Sequence, residues 1–103
     1  MLQIKTQRTT TPKAKPDESN LGFGVHYTDH MLIIDHDEEQ GWHDARIVPY
    51  HSLIMDPASM VLHYGQTTFE GLKAYRGQDG TIRLFRPEKN MERLNTSNDR
   101  LVI

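Results

Sequence analysis

The chain has 103 residues, with 12 Lys and Arg, 14 Asp and Glu, and no Cys. This length suits one domain or part of one and excludes a multidomain protein. Without Cys there is no disulfide, no thiolate metal site and no cysteine nucleophile. Hydrophobic residues make up 36% of the chain, which provides a small core for this length. We therefore expect either partial disorder or packing against further sequence.

Charge and hydropathy exclude two classes of partner. The net charge is −2, which argues against nucleic-acid binding through a basic surface. The longest apolar run, residues 31–34, is far shorter than the roughly 20 residues of a membrane helix. Residues 1–11 lack the apolar centre of a signal peptide. We expect a soluble, cytoplasmic protein with no nucleic-acid or membrane partner.

The charges are unevenly distributed along the chain. Residues 1–20 are polar, with more basic than acidic side chains, and this composition predicts a disordered or loosely docked N-terminal arm. Residues 21–58 are strongly acidic, whereas residues 59–103 carry a net positive charge. An anionic ligand would therefore bind to the second half of the chain.

Four strands are predicted in two pairs. Residues 30–35 (HMLIID) form a short apolar run before the turn residues DEEQG, and residues 46–49 (RIVP) form the second strand of that pair. Residues 72–75 and 82–85 flank the sequence GQDG, which supplies the tight reversal of a β-hairpin.

Two helices are predicted among these strands. Asp56 and the proline after it favour a helix start, so we expect a helix from about residue 57 to residue 69, stopped by Gly71. A second helix opens at Pro87 and keeps an apolar face up to residue 103 with no Gly or Pro stop. We therefore expect the chain to be a fragment cut inside a structure. Helices and strands together indicate the α/β (α+β) class.

Metal and nucleophile sites have weak support. His26 and His30 are four residues apart, but in a strand or loop this spacing holds two ligands too far apart for one ion. Polar surface or hydrogen-bonded histidines are the better interpretation. Gly22 and Gly24 lack the rest of a dinucleotide-binding motif. Three serines lack the Gly-flanked turn and the His and acid partners of a nucleophile; they are Ser52, Ser59 and Ser97.

Arg93 lies near the apolar stripe of the second predicted helix. A buried, unpaired guanidinium is costly, so this residue needs an anionic partner. Its planar fork matches phosphate well. From the residues alone, an ion pair with Glu70 or Glu92 and a bound phosphate are equally supported, and core packing is the simplest role for Tyr64 and Phe69.

Several short motifs follow one another along the chain. They are LGFG (21–24), YTDHM (27–31), GW (41–42), HYG (63–65), FEGLKAYR (69–76), IRLFRP (82–87) and NMxR (90–93). In order and spacing they closely resemble the branched-chain amino acid aminotransferases, over about residues 16–103. These are pyridoxal-phosphate enzymes of the fold that also includes D-amino acid aminotransferase.

The resemblance implies a fold and a set of site residues. Residues 21–103 would be the N-terminal part of the small α/β domain of the fold-type IV aminotransferases, truncated before the large domain. The enzyme would be a homodimer that holds pyridoxal 5'-phosphate between its domains and exchanges an amino group between Leu, Ile or Val and 2-oxoglutarate. Arg93 would bind the cofactor phosphate, and Phe23, Tyr64 and Phe69 would line an apolar pocket for the branched side chain.

The catalytic lysine of the family has no match in this chain. That lysine forms a Schiff base with the cofactor and then moves the proton, and Lys73 and Lys89 stand at other positions. We expect no catalytic residue and no activity from this chain alone. Two hypotheses stay open: an N-terminal fragment of a branched-chain aminotransferase, or a noncatalytic small-domain module for binding or dimerisation. D-amino acid aminotransferase is the alternative within the enzyme class.

Overall fold

The computed structural model, which describes residues 2–103, contains both strands and helices. The chain forms two units, Met1–Leu53 and Ile54–Ile103. This mixture confirms the predicted combination of helices and strands. In chain order the elements are β1 (Lys5–Thr6), β2 (His30–Asp37), β3 (Gly41–Pro49), α1 (Met60–His63), β4 (Ala74–Arg76), β5 (Ile82–Leu84) and α2 (Pro87–Leu101).

The first unit is built around β3. The strand order is β1-β3-β2, with β1 parallel to β3 and β2 antiparallel to it. The turn between β2 and β3 closes on the Asp37 carboxylate, which accepts the backbone N–H groups of Glu39 and Gln40 at 2.9 and 2.6 Å. An aspartate that accepts backbone N–H groups in this way stabilises a turn. The strands predicted at residues 30–35 and 46–49 are confirmed, and both extend further.

A β-bulge interrupts the pairing of β2 with β3. The register shifts between Ile33 and Asp35, where Asp44 and Ala45 stand opposite a single residue of β2. Asp44 has a φ of 47°, a left-handed conformation that aspartate adopts more readily than most residues. Ala45 is 2% exposed and is the one buried apolar residue in the described part of the chain.

Part of the predicted N-terminal arm contacts this sheet. Besides the pairing of β1 with β3, the backbone N–H of Thr9 donates to Nε2 of His30 at 2.9 Å. The backbone N–H of Lys13 donates to Oδ1 of Asp29 at 3.1 Å. Residues 5–13 thus contact the sheet at several points, and the disordered or loosely docked arm of residues 1–20 stays a prediction.

The helix predicted from residue 57 to residue 69 is wrong in length, because α1 has only four residues. Asp56 closes a turn instead of capping a helix, since its Oδ1 accepts the N–H of Ala58 at 2.7 Å. The helix ends at His63, Tyr64 caps it, and Gly65 follows with a φ of 60°. A glycine in this left-handed conformation is a common helix terminator.

Residues 66–70 form a segment, here called the strap, that lies along α2. Side chains at alternate positions contact the helix, as in an extended backbone, and Phe69 between them is left 91% exposed. The successive partners run backwards along α2, so the strap is antiparallel to the helix. The contacts join Gln66 Nε2 to the Leu101 carbonyl at 3.2 Å, Thr68 Oγ1 to Asn98 Oδ1 at 2.6 Å, and Glu70 Oε2 to Arg93 Nε at 2.6 Å.

The predicted hairpin is confirmed as β4 and β5, which pair antiparallel. Its turn is closed by a hydrogen bond from the N–H of Gly77 to the carbonyl of Thr81 at 2.9 Å, and Gly80 takes a φ of 76°. The Asp79 carboxylate accepts two hydrogen bonds from Arg83, at 2.9 and 2.6 Å. These bonds hold the pKa of Asp79 well below its usual range.

Each unit buries little apolar surface by itself. The chain exposes 9657 Å², whereas two compact units of half its 11.9 kDa mass would together expose about 7,200 Å². The second predicted helix is confirmed as α2 from Pro87, but it ends at Leu101 and does not continue to residue 103, because Val102 takes a left-handed φ of 57°. Met91 and Leu101 on its apolar stripe stay substantially exposed. No helix within residues 2–103 is both long enough and apolar enough to span a membrane.

We predict opposite effects of alanine at two glycines of the second unit. Gly80 has a φ of 76° and Gly71 has no positive φ, while an added Cβ would have open space at both positions. Gly80→Ala therefore lowers the free energy of unfolding by about 1–2 kcal/mol through backbone strain. Gly71→Ala raises it by about 0.4–1 kcal/mol by restricting the unfolded chain. Urea unfolding followed by circular dichroism measures both, and equal effects would contradict the turn geometry.

Candidate anion-binding site

Arg93 on α2 and Glu70 on the strap form a side-on ion pair. Nε of Arg93 donates to Oε2 of Glu70 at 2.6 Å, and Nη2 of Arg93 donates to Oε1. This arrangement uses one edge of the guanidinium and leaves the Nη1 edge outside the pair. The side chain of Arg93 is 68% exposed and that of Glu70 is 6% exposed. The cation therefore presents its second edge to the surface.

Neighbouring groups fix the Glu70 carboxylate. Its Oε1 accepts the N–H of Gly71 at 3.0 Å and Nδ2 of Asn90 at 3.0 Å. The same Nδ2 also donates to the carbonyl of Gly71 at 2.7 Å. Asn90 and Arg93 stand three residues apart on α2, a spacing that puts both side chains on one face of the helix. One face of α2 thus holds the carboxylate with two different donors.

These contacts keep both charges present at neutral pH. The hydrogen bonds from Arg93, followed by that from Asn90, lower the pKa of Glu70 from 4.5 to about 2. The hydrogen bond and the charge of Glu70 raise the pKa of Arg93 in turn. Each group favours the ionised form of the other.

The structure selects one of the two carboxylates considered for Arg93. Glu92 is occupied elsewhere, because both of its carboxylate oxygens accept hydrogen bonds from Nζ of Lys89, at 2.8 and 2.6 Å. Glu70 is the ion-pair partner. Since this pair uses only one edge of the guanidinium, an ion pair and a bound phosphate are compatible at the same arginine.

Two surface hollows meet at Arg93. The smaller, of about 230 Å³, brings three cationic side chains together, each of which also has a carboxylate neighbour, in Glu88, Glu92 or Glu70. The larger, of about 440 Å³, places an exposed aromatic ring on the same wall as Arg93. The smaller is lined by Phe85, Arg86, Lys89, Asn90 and Arg93. The larger is lined by Thr67, Thr68, Phe69, Arg93, Thr96, Ser97, Arg100 and Leu101.

The structure brings together two of the four predicted site residues. Arg93 and Phe69 line the larger hollow together. Tyr64 lies in the same unit, exposed just after α1, and is not part of that hollow. Phe23 belongs to the first unit, where its side chain is fully exposed. The roles of all four residues in cofactor and substrate binding stay predictions.

Sequence reasoning missed Asn90 and gave Glu70 only as one of two ion-pair partners. A signal for both was present, because Asn90 and Arg93 share one face of α2 and the strap offers a single carboxylate. That the strap lies against this face could not be read from helical spacing. The site therefore depends on a contact between segments distant in sequence.

Three histidines of the first unit, among them His30, make contacts other than metal binding. Within residues 2–103, no group of three or more His, Asp or Glu side chains could hold a metal ion. His30 accepts a backbone hydrogen bond through Nε2. His36 packs edge-on against Trp42, with ring centroids 4.9 Å apart, and Nε2 of His43 lies 3.6 Å from Oδ2 of Asp37. A hydrogen bond, aromatic packing and a contact with a carboxylate thus account for His30, His36 and His43.

We predict that Arg93→Ala raises the pKa of Glu70 from about 2 toward 4.5. Because the pKa is lowered in the folded state, the pair stabilises the fold above pH 4.5, and this contribution is lost as the pH falls through about 2. The variant should lose that part of the pH dependence. Carbon-13 NMR titration of the carboxyl groups measures the pKa directly.

Arg83→Ala is the control for this titration, since it removes a similar ion pair with Asp79 on the hairpin. It should leave the pKa of Glu70 unchanged. A Glu70 pKa near 4.5 in the parent protein would contradict the side-on pairing.

Comparison with known proteins identifies the family. No family model matches the chain. The chain is 60% identical over 100 residues, 97% of its length, to branched-chain-amino-acid aminotransferase 2 of Bacillus subtilis, strain 168. It is 53% identical over 98 residues to branched-chain-amino-acid transaminase 1 of the same organism. A branched-chain-amino-acid aminotransferase of Mycolicibacterium smegmatis is 55% identical over 85 residues, 82% of this chain and 23% of the relative.

The matches cover nearly all of this chain, but the chain spans only about 28% of the length of the two Bacillus relatives. The chain, which corresponds to this part of its relatives, belongs to the branched-chain-amino-acid aminotransferase family.

Proposed function

We propose that the protein carrying this sequence transfers the amino group of Leu, Ile or Val to 2-oxoglutarate with pyridoxal 5'-phosphate as cofactor. It would do so as a homodimer of the fold-type IV aminotransferases, in which this chain contributes the N-terminal part of the small domain. The observation that carries the proposal is the 60% identity over 97% of the chain with a branched-chain-amino-acid aminotransferase. The noncatalytic module stays the alternative that the experiments below address.

The residues around Arg93 fit the phosphate of this cofactor. Phosphate is a dianion that accepts hydrogen bonds along several directions, and a planar guanidinium edge binds it through two parallel bonds. Arg93 has such an edge outside its pair with Glu70, and Arg86 and Lys89 line the same hollow. In this proposal Arg93 holds the phosphate directly.

The rest of the cofactor would depend on sequence beyond these residues. When bound, pyridoxal phosphate supplies the electron-withdrawing ring on which amino groups are exchanged. The two lysines considered for attachment, Lys73 and Lys89, each lie beside another side chain. The ammonium of Lys89 is held by Glu92 at 2.6 Å, and that of Lys73 lies 5.9 Å from the ring centroid of Tyr75 on the hairpin.

Exposed aromatic rings support the proposed substrate class. Phe69 and Tyr64 are largely exposed although they are apolar or mostly apolar, and such rings favour partners with apolar surface. Phe23, in the first unit, has the same property. Rings of this kind would exclude water from a branched aliphatic side chain and offer no partner to a charged one. This is the selectivity that Leu, Ile and Val require.

We predict that Arg93→Ala in the full-length protein weakens pyridoxal phosphate binding by about ten- to a hundredfold, because a charge-assisted pair of hydrogen bonds is lost. Arg93→Lys should restore only part of the affinity, since an ammonium is a point charge without the two-donor edge. Titration of the apoprotein with the cofactor measures both constants. Unchanged affinity in Arg93→Ala, together with reduced thermal stability, would make Arg93 a structural ion-pair residue and contradict the assignment.

We predict that Phe69→Ala has the complementary effect. Cofactor affinity should stay within about twofold of the parent, while the preference for Leu over Ala as amino donor, measured as the ratio of kcat/KM values, falls by about ten- to a hundredfold. Tyr75→Ala removes an aromatic ring from the hairpin of the same unit and is the control for a general loss of packing. An unchanged preference in Phe69→Ala would contradict the pocket role, and absence of transaminase activity in the parent protein would favour the noncatalytic module.

A further inference from the structure

We infer that Glu70 is a positioning residue for phosphate binding: it holds Arg93 by one edge and thereby aims the opposite edge at the anion. The inference rests on the proposed function, in which Arg93 binds the cofactor phosphate. It adds to the site a buried carboxylate that does not itself touch the phosphate and acts only through the arginine.

The geometry of the pair separates the two tasks. Nε and Nη2 of Arg93 face the Glu70 carboxylate, and these two atoms supply one edge of the planar fork. The remaining donors, on Nη1 and on the outer side of Nη2, point away from that edge. Because the guanidinium is rigid and planar, fixing one edge also fixes the direction of the other.

The difference in burial indicates that Glu70 holds Arg93 and that Arg93 binds the anion. The Glu70 side chain is 6% exposed, whereas that of Arg93 is 68% exposed. The carboxylate is also held by the N–H of Gly71 and by Nδ2 of Asn90, both at 3.0 Å. Its position therefore does not depend on Arg93 alone. Glu70 is the anchored partner, and Arg93 is the partner that is held at the surface.

Anchoring Arg93 favours binding through entropy. A long, exposed side chain loses rotamer freedom when it binds an anion. Here part of that loss is already incurred when Arg93 pairs with Glu70, before any anion arrives. Preorganisation of this kind raises affinity without adding a contact to the ligand.

A carboxylate beside an arginine also has an opposing effect, because its negative charge weakens the attraction of the site for an anion. On the exposed side of the pair, solvent and salt screen this repulsion. Solvent and salt do not change the orientation that Glu70 gives to the Arg93 guanidinium. The two effects predict opposite changes in affinity when the carboxylate is removed, so an experiment can separate them.

The test uses Glu70→Gln in the full-length protein, with Arg93→Ala and Asp99→Asn as companions. Arg93→Ala removes the anion-binding group, and Asp99→Asn removes one carboxylate from α2 away from the pair. For each apoprotein, the dissociation constants of pyridoxal phosphate and of pyridoxal, which lacks the phosphate, are measured by titration. The ratio of the two affinities isolates the contribution of the phosphate, and thermal unfolding reports separately on the fold.

We expect Glu70→Gln to reduce this ratio by about three- to tenfold, because one set of orienting hydrogen bonds is weakened, while pyridoxal affinity is unchanged. In the Arg93→Ala background, Glu70→Gln should have no further effect on the ratio, since Glu70 acts through Arg93. Asp99→Asn should leave the ratio at the parent value.

An unchanged or higher ratio in Glu70→Gln, with a reduced ratio in Arg93→Ala, would overturn this inference alone and leave Arg93 as the phosphate-binding residue. An unchanged ratio in Arg93→Ala would overturn the phosphate assignment and this inference with it. A loss of thermal stability without a change in the ratio would make Glu70 purely structural. If Glu70→Gln does not fold, Glu70→Asp, which keeps the charge but shortens its reach, is judged by the same criteria.

Discussion

The pairing of Glu70 with Arg93 joins two segments of the second unit that lie 23 residues apart in sequence. The strap is held against α2 by this pair, by the hydrogen bonds of Gln66 and Thr68, and by the hydrogen bond from Asn90 to Glu70. A mostly buried carboxylate needs a charged or hydrogen-bonded partner. The side of the strap that carries Glu70 therefore faces the side of α2 that carries Asn90 and Arg93, which supply its donors.

This single constraint determines what the surface presents. With alternate residues of the strap turned toward α2, Phe69 must point the other way, and it does so as an almost fully exposed ring. The same pairing leaves one edge of the Arg93 guanidinium available, beside that ring, on the wall of a common hollow. An apolar surface and a cationic edge thus come together because one salt bridge sets the orientation of both.

The two units also expose more surface than compact units of their mass. Isolated compact units of this mass would expose considerably less area, and large apolar side chains are exposed in both of them. The chain spans about 28% of the length of its Bacillus relatives. A ligand or further protein can pack against exposed rings such as Phe23 and Phe69. These rings therefore matter for function as well as for packing.

Local sequence determined much of the secondary structure. The short apolar run at β2, the GQDG turn and the proline that opens α2 each act within a few residues, so β2 to β5 and the second helix were predictable. The short strand β1 was not, because it lies in the segment predicted as an N-terminal arm. The place of Arg93 near the apolar stripe of α2 predicted an anionic partner, and the structure supplies one in Glu70, although the Arg93 side chain is 68% exposed and not buried as that argument assumed. Local spacing failed between residues 57 and 69, where a helical pattern was present but Gly65 ended the helix and the strap formed instead. Which carboxylate pairs with Arg93, and which aromatic ring stands beside it, was decided only by tertiary structure. Periodicity tells which side chains share a face of a helix, whereas the segment that covers that face is chosen by contacts between residues far apart in the chain.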